Sequence, residues 1–532
     1  MSEILQTQTS KSLNHLTPQS SIAIVGAGPA GLTLARLLQL KGLNVKVYER
    51  DLNRDARVQG ATLDLHQDAG LKALRAAGLL EEFKRRYRPY ADIARFVDEK
   101  AVIHLDGHDD PNYQAEAFEN EHFRPEIDRG PLRTMLLDSL QPETVVWNSH
   151  ILALEPVGNA WKLEFENRST ASADLVIAAD GAGSKVRPFV TPIKPFYTGV
   201  TAVEGAVYDS AKNAPRVHGL LKGGKIFALG NSQTLIISSK GDGSLAFYLS
   251  FNASENWVRD CGLDFTSNAQ MLAWFKQQYP NWDSIWFELF ENADSHYVAR
   301  QINSLPVDQT WEPRENITLI GDAAHLMTPF AGEGVNVAML DALELAIRLT
   351  DPTFPTLRDA IAAFESEMRD RAVLSMQASL ENGVMFHSPG ALEAMLAMFG
   401  QPPEEADTTA NPDANSDHVE VQTGAASTPK ELFAGQIFDR TQNPNLQKKI
   451  NAAYRFNVSG RNGGIWIVDF RKNSAGVQQA DEKGQCEIKI SDDDFVAILE
   501  KRLNPQSAFD SGRLKVVGNM LLAIKFADVV GV

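Results

Sequence analysis

The chain is poor in cysteine, with only Cys261 and Cys486 in 532 residues. Two distant thiols cannot build a framework of several bridges, which excludes a disulfide-stapled secreted scaffold and fits a reducing compartment. Basic residues are also in deficit. With 51 Lys and Arg against 68 Asp and Glu, the formal charge is −17, so nucleic-acid phosphates would be repelled rather than neutralised. No run approaches the roughly 20 apolar residues of a membrane span, and the first 20 residues lack the apolar core of a signal peptide. Together these absences lead us to expect a soluble, cytoplasmic protein that binds no nucleic acid and has no transmembrane segment. An apolar fraction of 43% is that of a globular protein, and 532 residues exceed one ordinary core, so two or more domains are expected.

Periodicity divides the chain. Ser21–Val25 reads as a short buried strand, Leu32–Leu40 has helical apolar spacing, and Leu43–Tyr48 is a second strand. This βαβ opening predicts a parallel sheet. From about Phe196 to Phe251 strand-like runs are broken by Gly and Asn, the pattern of an antiparallel sheet that would cover a substrate. Strand and helix alternate again from Ile317, and Leu340–Leu349 is a strong helix. No Lys or Arg stands between Arg371 and Lys430, and residues 401–430 are acidic with few large apolar side chains. Such a stretch buries too little surface to offset its ordering entropy, so a flexible acidic linker is expected there. Globular character resumes at Glu431.

Gly26-Ala27-Gly28-Pro29-Ala30-Gly31 follows the first strand, opens the first helix, and is followed by Glu49 at the end of the second strand. In that context Gly26 allows the tight turn, Gly28 lets the backbone approach a pyrophosphate, and Gly31 permits close helix–strand packing. Glu49 is placed to accept hydrogen bonds from an adenosine ribose. The fingerprint alone does not separate FAD from NAD.

Two later segments do. Ala173 to Gly181 is a strand ending in Asp180-Gly181, followed by Ser184 and Arg187; Leu319 to His325 is a strand ending in Gly321-Asp322, followed by Pro329-Phe330-Ala331-Gly332-Glu333-Gly334-Val335-Asn336. With Tyr48 to Asp51, Gly60 to His66 and Ile127-Asp128-Arg129, these motifs resemble the flavoprotein aromatic hydroxylases of the para-hydroxybenzoate hydroxylase type, and within them the tetracycline-inactivating monooxygenases. The resemblance covers roughly residues 20–395. It implies FAD as cofactor and NAD(P)H as co-substrate, with O₂ adding at flavin C4a and the resulting hydroperoxide delivering one oxygen atom. It also implies that Asp322 accepts from the flavin ribityl hydroxyls, while Arg129 and Arg50 position phosphates and ribose. Pro329, Gly332, Gly334, Val335 and Asn336 would support the flavin, with the N–H groups of the Gly332–Asn336 turn pointing at its pyrimidine edge. Asp64 matches a position near the flavin, and Arg57 one near the nicotinamide. His325 reads as a packed histidine rather than a base. No metal-ligand cluster or Ser-His-Asp set is seen.

At the substrate the resemblance departs. Lys225 stands where the tetracycline enzymes carry a substrate-contacting Arg, Glu204 where they carry Gln, and Ala246 and Tyr248 where they carry His and Gly. The pocket is therefore expected to admit a different hydrophobic or aromatic molecule than tetracycline. From Glu431 onward, strands around Tyr454–Val458, Gly463–Phe470 and Cys486–Ile490, a helix Asp492–Lys501 and a strand within Gly512–Met520 resemble a sterol carrier protein type-2 domain. That implies an α/β sandwich around an apolar tunnel for lipid, with Phe495, Leu499, Phe509, Leu514, Met520, Leu521 and Ile524 as candidate lining or plain core. The chain ends Val530-Gly531-Val532, unlike a peroxisomal Ser-Lys-Leu signal.

The expected fold is thus α/β: a Rossmann-type FAD-binding domain (about 20–190 and 300–400) with an antiparallel substrate sheet (about 191–299), then the linker, then a sterol-carrier-like domain over 431–532. The leading function is an FAD-dependent monooxygenase. A flavin oxidase or cofactor-holding isomerase on the same fold, or a lipid carrier with a vestigial flavoprotein half, stays open.

Overall fold

The structure, a computed structural model, describes residues 16–56, 62–109, 123–294, 296–399, 428–450, 452–471, 474–480, 484–500, 502–503, 513–518 and 529–530, with the single positions 113, 118, 120, 505 and 508. It divides into two compact units, residues 1–394 and 395–532. Most of the expected linker, residues 401–427, and the positions Arg57, Phe509, Met520, Leu521 and Ile524 lie outside the described residues.

The first unit is built on a five-stranded sheet in the order Ile317–Leu319, Leu175–Ala178, Ser21–Val25, Asn44–Tyr48, Val145–Val146. Every pairing is parallel. Ser21–Val25, Leu175–Ala178 and Ile317–Leu319 are near-continuous apolar runs, and nearly all their residues are buried. The helix Pro29–Leu40 starts with Pro at its first turn, where a missing N–H costs nothing, and its buried side shares one core with the helix Gly334–Leu349. Strands Ser21–Val25, Leu175–Ala178 and Ile317–Leu319 all release the chain at the same sheet edge, into Gly26, Asp180-Gly181 and Gly321-Asp322. That carboxyl edge is where open parallel sheets bind ligands.

A second sheet has seven strands, in the order Val298–Ser304, Phe196–Val207, Leu245–Asn252, Gln233–Ser239, Lys225–Gly230, Ala94–Asp98, Ile103–Asp106. It is wider than the run from Phe196 to Phe251: three strands join from before and after it, and the Lys225–Gly230 to Ala94–Asp98 pairing is parallel. Period-2 alternation sorts its faces. Val203, Ile226, Leu235, Ile237, Phe247 and Leu249 are fully buried with Phe275, Trp286 and Phe290 of the helical cover. The opposite parity carries Glu204, Lys225, Phe227, Ile236, Ala246 and Tyr248. That face meets the two-stranded ribbon Thr62–Asp64 with Glu126–Asp128, through Lys225 and Glu126, and the end of the long helix Leu357–Phe386, through Phe227 and Phe386.

The second unit holds a sheet in the order Gly476–Gln478, Gly464–Asp469, Ala453–Ser459, Cys486–Ser491, Leu514–Gly518, with its central pair parallel and the others antiparallel. Phe433 stacks between Trp466 and Phe495, with ring centroids 4.5 and 4.6 Å away. Phe495, Leu499 and Leu514 are buried in this core, and the stacked ring of Phe495 is a packing position. No helix among the described residues is long and apolar enough to cross a membrane.

Candidate functional site

The glycine turn is defined by close approach. Gly26 has φ +107°, and a Cβ there would lie 2.3 Å from the Ala179 carbonyl oxygen; at Gly31 it would lie 2.1 Å from the Gly26 oxygen. Neither position tolerates a side chain. Gly28 differs, with nothing within 4 Å of a Cβ, so its backbone faces open space. No side chain caps the helix behind it, leaving its first N–H groups available to an anion. Glu49 is buried, and its carboxylate accepts the Ala27 N–H at 2.6 Å and the Asp51 N–H at 3.0 Å. These bonds fix its position and leave lone pairs for a ribose. Arg50 and Arg129 are both exposed.

Across the sheet edge, Arg187 staples the two other loops together. Its Nε donates to the Ala323 carbonyl at 2.7 Å, and one terminal nitrogen donates to the carbonyls of Asp322 at 2.9 Å and Ala182 at 3.2 Å. Gly321 has φ +59°, and its N–H donates to Asp341 at 3.0 Å. Asp341 is fully buried and also holds His325 Nε2 at 2.5 Å and Arg371 at 3.2 Å. His325 is therefore packed, and it is also one half of a buried ion pair beneath the loop. Asp322 stands above that layer. No described side chain donates to its carboxylate; burial raises its pKa, opposed by His325, Arg129 and Arg187 nearby. A carboxylate held in this way suits hydroxyl donors from a ligand.

The third element is the turn from Pro329 into the helix Gly334–Leu349. Pro329 and Gly332 are exposed, Gly334 and Val335 half-buried. Asn336 is fully buried and its side chain is consumed internally: Oδ1 accepts from the His66 N–H at 2.8 Å and the Gly70 N–H at 3.3 Å, while Nδ2 donates to the Asp64 carbonyl at 2.9 Å. It clamps the turn to the Thr62–Asp64 strand. Asp64 lies beside Gly332 and hydrogen-bonds His66 Nε2 at 3.0 Å. Burial works to raise its pKa, but His66, Lys225 and Arg124 outweigh that and hold it at about 2. Glu333, on the other side of His66 at 3.6 Å, is pushed up by burial.

The candidate substrate residues share one sheet face. Lys225 lies in register with Ser238, which pairs with Ala246; Glu204 pairs directly with Tyr248. Lys225 forms an ion pair with Glu126, itself 1% exposed. Burial works against the lysine charge, yet Glu126, Asp64 and Asp92 raise its pKa, while burial pushes the Glu126 carboxyl up against the pull of Lys225. Tyr248 Oη donates to Glu204 at 3.2 Å, and Arg300 meets the same carboxylate at 3.3 Å. Ala246 is buried. The structure thus brings together Gly26, Gly28, Glu49 and Asp322 at the sheet edge, and Asp64, Lys225, Glu204 and Tyr248 at the second sheet. Sequence reasoning missed Arg187 as a staple, Asp341 under the Asp322 loop, and Glu126 as the partner of Lys225. Glu126 stands directly before the Ile127-Asp128-Arg129 segment that had drawn attention.

An open glycine backbone at a helix start, a buried fixed carboxylate at the second strand and an unpartnered carboxylate at the third loop fit FAD. Among the described residues no group of three His, Cys, Asp or Glu could hold a metal ion. The chain matches the FAD binding domain family over residues 19–373 and the SCP-2 sterol transfer family over residues 434–531. It is 28% identical over 444 residues to monooxygenase asqM of Emericella nidulans, covering 71% of this chain and 98% of that protein. HpxO of Klebsiella pneumoniae, solved with FAD and uric acid, superposes with a TM-score of 0.57 at 21% identity over 72% of this chain and 92% of that one. Tetracycline destructase Tet(51) superposes with a TM-score of 0.54 at 17% identity over 72% and 96%. At these identities the superpositions establish the fold.

The His325–Asp341 pair makes a testable pH signature. Burial alone would lower the His325 pKa, but Asp341 and Asp322 raise it above its ordinary 6.5. A raised folded value means the pair stabilises fully below pH 6.5 and loses that contribution as pH climbs through the folded pKa. Thermal melts from mildly acidic to alkaline pH should show this decline in the wild type and a flatter profile in Asp341→Asn. Identical profiles in the two proteins would show that the pair does not titrate in this way.

Proposed function

Because this chain belongs to the FAD binding domain family, we propose that it is an FAD-dependent monooxygenase that uses NAD(P)H and O₂ to oxygenate a small hydrophobic or aromatic molecule. The observation that carries this reading is the convergence of the Gly26, Asp180-Gly181 and Gly321-Asp322 loops on one sheet edge, together with the aromatic, half-buried sheet face that meets the Asp64 ribbon. Relatives that bear the monooxygenase name match most of the first unit. When bound, FAD supplies the redox chemistry, accepting electrons from NAD(P)H and activating O₂.

The chain's own residues would hold and orient it. Gly28 and the helix start would take the diphosphate, with Arg129 and Arg50 supplying positive charge. Glu49 would bind the adenosine ribose and Asp322 the ribityl chain. N–H groups of the Gly332 to Val335 turn would stabilise negative charge at the pyrimidine edge, while Asn336 holds that turn to the Asp64 strand. Arg57 remains the candidate nicotinamide contact by resemblance alone. Phe227, Ile236 and Tyr248 would pack the substrate and exclude water, with Lys225 and Glu204 as polar neighbours.

Turnover under ¹⁸O₂ should place one labelled oxygen in the product. Stoichiometric H₂O₂ with no label in the product would mean an oxidase instead. Asp322→Ala should weaken FAD retention, since a buried hydrogen-bonding carboxylate contributes about 1.5–3 kcal/mol, roughly 10–150-fold in affinity.

For the second unit, we propose a hydrophobic-ligand module that captures or delivers the substrate, supported by its match to the SCP-2 sterol transfer family. A chain ending at residue 400 should keep its flavin and lose the binding of a fluorescent fatty acid that the full chain retains. Loss of flavin on truncation, or no fatty-acid binding by the full chain, would sink the proposal.

A further inference from the structure

We propose that the half-buried Lys225–Tyr248 face of the second sheet selects substrates without negative charge, such as phenols and neutral polycyclic ketones, against aromatic carboxylates. The proposal rests on the monooxygenase reading and deepens it to a substrate class.

Among the described residues two cations stand on this face of the sheet, Lys225 and Arg300, and each meets a carboxylate: Lys225 meets Glu126, and Arg300 meets Glu204 at 3.3 Å. Behind Glu126 stand Asp64 and Asp92, both close enough to act on Lys225. The cations on the opposing side are matched as well. Arg88 lies 3.5 Å from Asp128, and Arg124 acts on both Asp64 and Glu333. Each of these four cations therefore has an acidic neighbour. An aromatic carboxylate entering here would shed its water shell and gain no unmatched positive charge from these residues in return, a net loss.

A neutral molecule meets different terms. Phe96 and Phe227 stack with centroids 5.2 Å apart at 15°, Phe386 lies beyond Phe227 at 6.4 Å, and Tyr248 is half-buried on the same face. These surfaces suit a flat apolar ring. The ammonium of Lys225 has three N–H donors, more than its bond to Glu126 uses, and a phenol or ketone oxygen can accept another without bringing charge.

The test uses the full-length, FAD-loaded protein and two probes with the same ring system, 2-naphthol and 3-hydroxy-2-naphthoate, at neutral pH. Perturbation of the flavin absorbance on titration reads binding at this site alone. Naphthol should bind at least about tenfold more tightly, a difference of about 1.4 kcal/mol. Glu126→Gln unmatches Lys225 and should shrink that preference about tenfold. Lys225→Met removes the cation instead and should leave the preference at or above the wild-type value, with the retained flavin spectrum reporting that each variant is folded. The proposal is overturned if the carboxylate binds as tightly as naphthol, if the flavin responds to neither probe, if Glu126→Gln leaves the ratio unmoved, or if Lys225→Met erases it. A chain that holds no flavin defeats the monooxygenase reading. A flavin-loaded chain that prefers the carboxylate defeats only the charge selection.

Discussion

Where the polypeptide leaves its first strand, the Gly26 backbone presses so closely on Ala179 that a Cβ would stand 2.3 Å from the carbonyl oxygen. The helix that follows is seated just as tightly, through Gly31 against Gly26. This contact sets the spacing of the loops at the sheet edge. It draws the first helix down onto the sheet, leaves its N–H groups facing outward at Gly28, and brings the loop after Leu175–Ala178 alongside. Arg187 then carries the constraint one strand further, by binding carbonyls of both the Ala182 and the Asp322 loops. A single methyl group at Gly26 would clash with backbone and oppose φ +107°, so the geometry of the whole edge hangs on it.

The polar groups beneath that edge follow one logic. A buried carboxylate or amide costs stability unless its hydrogen-bonding capacity is met. Asp341 is met by Gly321, His325 and Arg371, and Glu365 by Trp311 and Thr318. Asn336 is met by three backbone groups. These residues position loops and turns, and they have little capacity left for a ligand. Asp322 has no described side-chain donor and faces the charges of His325, Arg129 and Arg187. That contrast separates scaffold carboxylates from Asp322, the one we propose meets the cofactor. On the second sheet, Lys225 and Arg300 each meet a carboxylate beside the aromatic surface.

What could be read from the sequence depended on how local each signal was. Gly26, Gly28 and Gly31 fall within six residues of one turn, and Glu49 ends the next strand, so spacing alone located them. Asp322 was legible because Gly321 before it and the glycine-rich turn after it mark a loop. Alternation identified the central strands of the second sheet but not its outer ones, since Ala94–Asp98 is a short run that gains its role only by pairing with Lys225–Gly230. The missed partners are joined across long separations. Lys225 and Glu126 are 99 residues apart, and Arg187 reaches Asp322 over 135. Side-chain bonds of that kind have no periodicity. Asn336 shows the opposite limit: its place in the turn was found, while its commitment to His66, Gly70 and Asp64 emerged only once the chain was folded.

The central claim is that this edge is built for FAD. Denaturing the purified full-length protein and identifying the released small molecule by chromatography and mass tests it most directly. The account expects non-covalently bound FAD, one per chain after reconstitution. Release of FMN, or failure to take up any flavin when FAD is supplied, would contradict it.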